Sequence, residues 1–335
     1  MVRYGIAGFG LHAVRRLMPG FSRSKNCTVT ALSRRTMAAA RQSAAAYRIP
    51  LAFDSVADLC ASPEVDAVLV TTPNSCHLSD VLAAVSAGKH VLCEKPMGMN
   101  AAECRQMVRA ARERKVVFGV AHVFRFNESV LKLRDLLAAG RIGAPVFARC
   151  EFSFFAGPNH ARTWLHDASL AGAGPIFDIG VHCIDTLRFI LQDEVVRVGC
   201  TASSDARSGD VESVASLTLE FAKGTIGTVL VSFRAQYRTP LEIVGQTGVL
   251  FSENALNVDH PVEVQLRHDG KVVESVTTSS INVYTQQVDA FADAIEGRSQ
   301  FSIPGEDGWR NQEILDATLR SMKSGRIEAV DRVRL

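Results

Sequence analysis

No part of this sequence reaches the roughly eighteen uninterrupted apolar residues that a membrane-crossing helix needs. The opening Met1-Val2-Arg3-Tyr4-Gly5 runs straight into a strand pattern rather than the apolar stretch of a signal peptide. The expected compartment is therefore the cytoplasm, with no membrane partner. Neither a Lys/Arg-rich run nor a large charge excess is present: 37 basic residues face 35 acidic ones, for a net charge of +2. That balance argues against nucleic acid as the main partner and for a small molecule. The eight cysteines, at 27, 60, 76, 93, 104, 150, 183 and 200, include no CxxC pair, so no disulfide framework and no metal site is expected. One absence is local. Before Asp54 there is no Asp or Glu at all, while Arg3, Arg15, Arg16, Arg23, Lys25, Arg34, Arg35, Arg41 and Arg48 are basic. The first fifty or so residues are suited to an anion.

What the chain does have is alternation. With 335 residues it is long enough for two domains. Apolar runs at Val2-Ala7, Thr28-Leu32, Ala67-Thr71, His90-Cys93 and Val116-Ala121 alternate with helical patterns beginning near Leu11, Thr36, His77 and Ala101. This predicts a doubly wound parallel sheet of five strands over residues 1–122, a dinucleotide-binding domain of the Rossmann type. Beyond it, helices near Glu128-Ala139 and Ile179-Leu191 flank alternating strands at Pro145-Phe155, Val211-Phe221, Thr225-Phe233, Leu241-Val244, Val262-Arg267 and Lys271-Thr277. Turn signals such as Lys223-Gly224 and Asp269-Gly270 favour antiparallel neighbours. Residues 123–335 are thus expected to form an α+β domain for substrate binding and oligomerisation, built on a large, open, mainly antiparallel sheet. Such a sheet needs a cover, and a second copy in a homodimer or homotetramer supplies one.

The segment Gly8-Phe9-Gly10-Leu11-His12-Ala13 follows the first strand at once. Glycine serves where the chain turns sharply and where backbone must approach a pyrophosphate, and a small third residue lets helix and strand pack. The helix that follows directs its free N–H groups at the phosphates. At the end of the second strand, where an NAD-selecting acid usually stands, the chain reads Ser33-Arg34-Arg35. With no carboxylate there, two arginines are expected to clamp a 2′-phosphate, giving NADP preference with NAD as the lesser alternative. The third and fourth strands end in Thr72-Pro73-Asn74 with His77, and in Glu94-Lys95-Pro96, on the sheet edge where ligands of open α/β folds bind.

Gly88-Lys89-His90-Val91-Leu92-Cys93-Glu94-Lys95-Pro96 resembles the EKP segment of the glucose-fructose oxidoreductase / inositol dehydrogenase (Gfo/Idh/MocA) family. Thr72-Pro73-Asn74 with His77 is similar to its TPN-x-x-H segment, and Asp178-Ile179-Gly180-Val181-His182-Cys183-Ile184-Asp185 to its D-x-G-x-H-x-x-D segment. Arg125-Phe126, Gly172-Ala173-Gly174 and Gly305-Glu306-Asp307-Gly308 also look like family landmarks. Ala13 departs from the third glycine, Ala173 from the glycine triplet, and His122-Val123-Phe124 from the polar or basic residues often found before Arg-Phe.

The resemblance implies a nicotinamide-dependent enzyme acting on a polyhydroxylated small molecule such as a sugar, polyol or cyclitol, with Lys95, Asp178 and His182 as its reacting cluster. Alcohol oxidation needs a group that takes the hydroxyl proton while hydride leaves carbon. His182 is expected in that role, with Lys95 donating to the reacting oxygen and Asp178 orienting its neighbours; the roles of Lys95 and His182 are interchangeable at this level. The resemblance also implies a cis bond before Pro96 in many members. Substrate contacts are expected from Arg125, Arg162, Trp164, His166 and Tyr284, with His160, Tyr237 and Arg238 as further candidates. Two other readings use the same motifs. One is a hydrolase or lyase that oxidises its substrate transiently and restores the dinucleotide within a turnover; the other is a non-catalytic dinucleotide sensor or partner-binding protein, which would not need Lys95, Asp178 and His182 together.

Overall fold

The computed structural model describes residues 1–157 and 160–332, which fall into two compact units. The first joins Met1–His122 to Asn282–Gln312, and the second joins Val123–Ile281 to the segment beginning at Glu313.

Six parallel strands form the first unit's sheet: β1 (Val2–Ala7), β2 (Cys27–Ser33), β3 (Leu51–Phe53), β4 (Ala67–Val70), β5 (His90–Cys93) and β6 (Phe118–Val120). Their order is β3-β2-β1-β4-β5-β6. Runs such as Ala67-Val68-Leu69-Val70, buried at every position, fit a sheet covered on both faces. Strand order reverses between β1 and β4, so the crevice of the switch point opens beyond their carboxyl ends, at Gly8 and Thr71. The sequence pattern gives five of these strands; β3 has three residues, too few to show a period. The helix expected from Leu11 begins there and widens into a π turn over Ala13–Leu17 before continuing as Met18–Phe21. Pro19 has no N–H to offer the preceding turn, and a widened turn accommodates that loss.

The first unit's leading segment ends at His122, and residues 282–312 join that unit from the far part of the chain, which was expected to belong wholly to the second. The helix Val283–Ile295 packs into the first unit, where Tyr4 Oη donates to the Val288 carbonyl at 2.9 Å and Thr285 Oγ1 to the Gly20 carbonyl at 2.9 Å. Phe291 rests 6.5 Å from the Tyr4 ring and 5.0 Å from Phe301.

The second unit carries a ten-stranded sheet among the described residues: β7 (Pro145–Phe155), β8 (Val195–Ser203), β9 (Val214–Phe221), β10 (Ile226–Ser232), β11 (Arg234–Arg238), β12 (Leu241–Gly245), β13 (Val249–Ser252), β14 (Val262–His268), β15 (Lys271–Thr278) and β16 (Glu328–Ala329). The order runs β15-β14-β13-β12-β7-β10-β9-β8-β16, with β11 on β7; only β7 and β10 pair in parallel. Both turn signals hold their hairpins. Gly224 has φ 94°, and Asp269 and Gly270 take φ 49° and 74°, the left-handed pair that a tight hairpin needs. The helix Val181–Leu191 buries every residue except Phe189. It is preceded by a π turn over Ile176–Gly180 that carries Asp178, where an ordinary helix from Ile179 was expected. Val146, Phe147, Phe155, Ile226 and Leu230 remain 37–55% exposed along β7 and β10.

Candidate active site

In the first unit the glycine turn is shaped by close approach. Gly8 has φ +79°, and a Cβ there would lie 2.7 Å from Thr72 Cγ2 and 2.9 Å from its backbone. Glycine is therefore required both by conformation and by space. At Gly10 the nearest atom to an added Cβ is the Gly8 carbonyl, 3.6 Å away, which leaves the turn open on the side a phosphate would use. Ser33 is 2% exposed, and its Oγ accepts from the Gly8 N–H at 3.3 Å. It braces the turn instead of reaching outwards. Phe9, also 2% exposed, packs 5.3 Å from Tyr47, so its side chain belongs to the core and only its backbone lies in the turn. Ala13 is fully buried, as the close packing of helix on strand demands.

Arg34 and Arg35 are exposed and precede Thr36, the N-cap of the helix Met37–Tyr47, whose side chain accepts from the Ala39 N–H. Arg34 Nη1 donates to Ser43 Oγ at 2.9 Å on that helix. Two cations beside free helical N–H groups make a site with the chemistry of a phosphate receptor. A dinucleotide pyrophosphate at Gly10 and a 2′-phosphate at Arg34-Arg35 fit the residues present.

The ends of β4 and β5 are laced together. Thr72 Oγ1 donates to Asp80 at 2.7 Å. His77, 1% exposed, holds Nδ1 3.0 Å from the Pro96 carbonyl and Nε2 2.9 Å from the Thr72 carbonyl. A neutral imidazole donates to only one of them at a time, and burial pulls the His77 pKa below the ordinary histidine value. Pro73 and Asn74, the latter 4% exposed, lie between those anchors. Lys95-Pro96 is cis. Glu94 receives His12 Nε2 at 2.9 Å on one oxygen and the Lys95 N–H at 3.2 Å on the other. Burial works to raise this carboxyl, but His12 and Lys95 outweigh it and bring it below the usual carboxylate range. Tyr284, expected among substrate contacts, belongs to this unit. Its ring stands 5.9 Å from His12, which makes it a neighbour of the dinucleotide turn.

In the second unit Asp178 is 6% and His182 8% exposed. Arg162 offers Nη1 and Nη2 to the two oxygens of Asp178, each at 3.3 Å. His182 sits among aromatic rings: Phe124 meets it edge-on at 4.7 Å and Phe152 stacks at 6.1 Å, with Tyr237 6.2 Å from Phe152. The expected substrate loop forms the 3-10 turn Thr163–His166, which includes Trp164, half-buried. His166 lies 6.5 Å from His160, and the buried Nδ1 atom of each ring has no hydrogen-bond partner. Arg238 is paired with Glu253 at 3.3 Å.

Arg125, expected as a substrate contact, is engaged by a buried carboxylate. It is bidentate to Asp185 at 2.6–3.2 Å, with side-chain exposures of 9% and 2%, and its guanidinium also covers Phe189 at 5.3 Å. Two sequence landmarks, Arg-Phe and the last Asp of D-x-G-x-H-x-x-D, thus meet. Glu212 had no sequence signal. It accepts the Gly174 N–H at 3.0 Å and the Ile176 N–H at 2.9 Å, holding the start of the turn that carries Asp178. A Cβ on Gly174 would run into the Glu212 carbonyl, which accounts for that glycine. Among the described residues no group of three or more His, Cys, Asp or Glu is placed to hold a metal ion, and no helix is long and apolar enough to cross a membrane.

The model of the oxidoreductase family with an NAD-binding Rossmann fold matches residues 2–122, and that of the GFO/IDH/MocA C-terminal domain matches residues 130–251. The chain belongs to the Gfo/Idh/MocA family. This member is 35% identical to the 1,5-anhydro-D-fructose reductase of Ensifer adhaerens over 314 residues, 92% of each chain. It is 29% identical to the D-xylose 1-dehydrogenase (NADP(+)) 2 of Haloferax volcanii, over 98% of this chain and 99% of that one. Its fold matches the aldose-aldose oxidoreductase of Caulobacter crescentus with a TM-score of 0.89, covering 98% and 99% of the two chains at 24% identity. The expected family and the pairing of a parallel Rossmann sheet with a mainly antiparallel one are both met. The protein is an NAD(P)-dependent oxidoreductase.

Proposed function

We propose that this protein is an NADP-preferring dehydrogenase or reductase of a sugar, polyol, cyclitol or anhydro-sugar. The observation that carries the cofactor preference is the exposed Arg34-Arg35 pair at the N-terminus of the helix Met37–Tyr47, at a strand end that carries no Asp or Glu of its own for a ribose 2′-hydroxyl. The substrate class is supported by the relatives, one a 1,5-anhydro-D-fructose reductase and another an NADP(+)-dependent D-xylose dehydrogenase.

Bound nicotinamide supplies the hydride acceptor or donor. The protein's own residues handle the proton and the geometry. His182 takes the hydroxyl proton at an imidazole nitrogen, or returns it in the reductive direction, and Lys95 donates from Nζ to the reacting oxygen. Arg162 holds Asp178, which orients its neighbours. The aromatic rings around His182 exclude water from it. Trp164, in the loop that also carries His160 and His166, supplies an apolar face to the substrate. The exposed apolar side chains of β7 and β10 support assembly of two or more copies through the open sheet, and the eight free cysteines support a cytoplasmic location.

The test is a panel of aldoses, inositols, keto-sugars, anhydro-sugars and aromatic dihydrodiols, each assayed with NADP(H) and NAD(H) by nicotinamide absorbance. Turnover of a sugar-like compound with higher kcat/KM for NADP(H) is expected. A clear NAD preference would sink the cofactor assignment, and turnover confined to the aromatic diols would sink the substrate class.

A further inference from the structure

A carboxylate beside a pyrophosphate site is a liability. Two phosphate charges are to be accepted at the glycine turn, and Glu94, 12% exposed at the side chain, is tied directly to that turn through His12. His12 lies in the first helical residues after Gly10, with φ −64° and ψ −46°. Its backbone belongs to the anion-accepting helix start, while its Nε2 meets Glu94 Oε1 at 2.9 Å. The other oxygen of Glu94 accepts the N–H of Lys95. One carboxylate is therefore gripped on one side by the glycine turn and on the other by the residue expected to serve the reacting oxygen. Tyr284 stands edge-on to the His12 ring at 5.9 Å and is itself pressed against Gly20, where an added Cβ would lie 2.9 Å from Tyr284 Cβ. The imidazole is thus bounded by a packed ring on one side and a carboxylate on another. Other charged or titratable groups that bear on this cluster are Lys95, His77, Asp80 and the Cys93 thiol.

We propose that His12 is a positioning residue whose ring N–H is donated to Glu94, so that the turn accepts a dinucleotide pyrophosphate while the same carboxylate fixes the backbone of Lys95. The pair links the cofactor's arrival at Gly10 to the setting of Lys95 on β5's end, within one unit of the fold. Like-charge juxtaposition is costly where water is thinned, and an N–H donor on the carboxylate lowers that cost. The inference rests on dinucleotide binding and is independent of the NADP preference and of the substrate.

Calorimetric titration of the full chain with NADP+ and with NAD+ tests it, using wild type, His12→Leu, Glu94→Gln and the double variant, with melting temperatures alongside. His12→Leu is expected to weaken the dinucleotide that wild type binds better by roughly tenfold, because Glu94 is left charged and without its imidazole. The double variant recovers to within about threefold of wild type, which a packing defect at residue 12 would not do. Unchanged affinity in His12→Leu, or a loss that Glu94→Gln fails to recover, overturns the proposal. If His12→Leu does not fold, His12→Ala, which also lacks a donor, carries the same expectation and the same rescue. Failure of wild type to bind either dinucleotide would overturn the underlying cofactor reading, a result distinct from equal binding by wild type and His12→Leu.

Discussion

Arg162 and Asp178 face each other through two parallel contacts of 3.3 Å, one to each carboxylate oxygen. Asp178 lies in the π turn Ile176–Gly180, where its orientation is set by what its oxygens bind as much as by the backbone. Arg162→Ala is expected to lower kcat by roughly tenfold to a hundredfold, since small displacements of a reacting group cost that much. Arg162→Lys should recover only part of the loss, because an ammonium cannot span both oxygens. Steady-state kinetics decides: equal kcat in Ala and wild type would show that Asp178 needs no such partner.

Arg34 and Arg35 separate the two dinucleotides. Replacing both by Ala removes up to two charge-assisted hydrogen bonds to a 2′-phosphate, at about 1.5–3 kcal/mol each. The expected result is a fall of roughly a hundredfold or more in kcat/KM for NADP with little change for NAD. A parallel fall for both cofactors would mean that the arginines support the fold of the helix start, where Arg34 bonds Ser43, and not the choice of cofactor.

Glu212 gives a pH signature. Burial raises its carboxyl above the usual range, and the N–H groups of Gly174 and Ile176 oppose that only in part. The folded state then holds the proton more tightly than the unfolded chain, so this group's stabilising contribution is complete below the unfolded value of about 4.3. It is lost as pH rises through the raised folded value. Glu212→Gln should flatten that slope in melting temperatures taken across the acid range. A variant whose slope matches wild type would assign the pH dependence elsewhere.

Arg125 and Asp185 test whether Arg125 serves the fold or the substrate. With side-chain exposures of 9% and 2%, removing one partner leaves the other charged and buried, at a cost of about 3–5 kcal/mol. Arg125→Met is expected to lose stability on that scale in urea unfolding. If instead it folds as firmly as wild type and shows only a raised KM for substrate, the earlier reading of Arg125 as a substrate contact is restored.

What the sequence by itself determined is local. The extents of β1 and β5, the left-handed demand at Gly8, the hairpin at Asp269-Gly270 and the burial of Ala13 follow from residue period, steric freedom and side-chain size within a few positions. The motif strings around Lys95 and Asp178 were legible for the same reason, as were the strand ends that carry them. Only the tertiary structure decided which polar groups face one another. His12 and Glu94 are 82 residues apart, Arg125 and Asp185 60, and Gly174 and Glu212 38. A carboxylate's partner is chosen by whatever donor the fold delivers to it, and no local pattern encodes that choice. The same holds for the helix Val283–Ile295: that it covers Tyr4 and Gly20 of the first unit is a long-range packing outcome. Ser33 shows the limit most plainly. Its position beside Arg34 placed it at the cofactor-selecting strand end, and the fold turned its hydroxyl inward to hold Gly8.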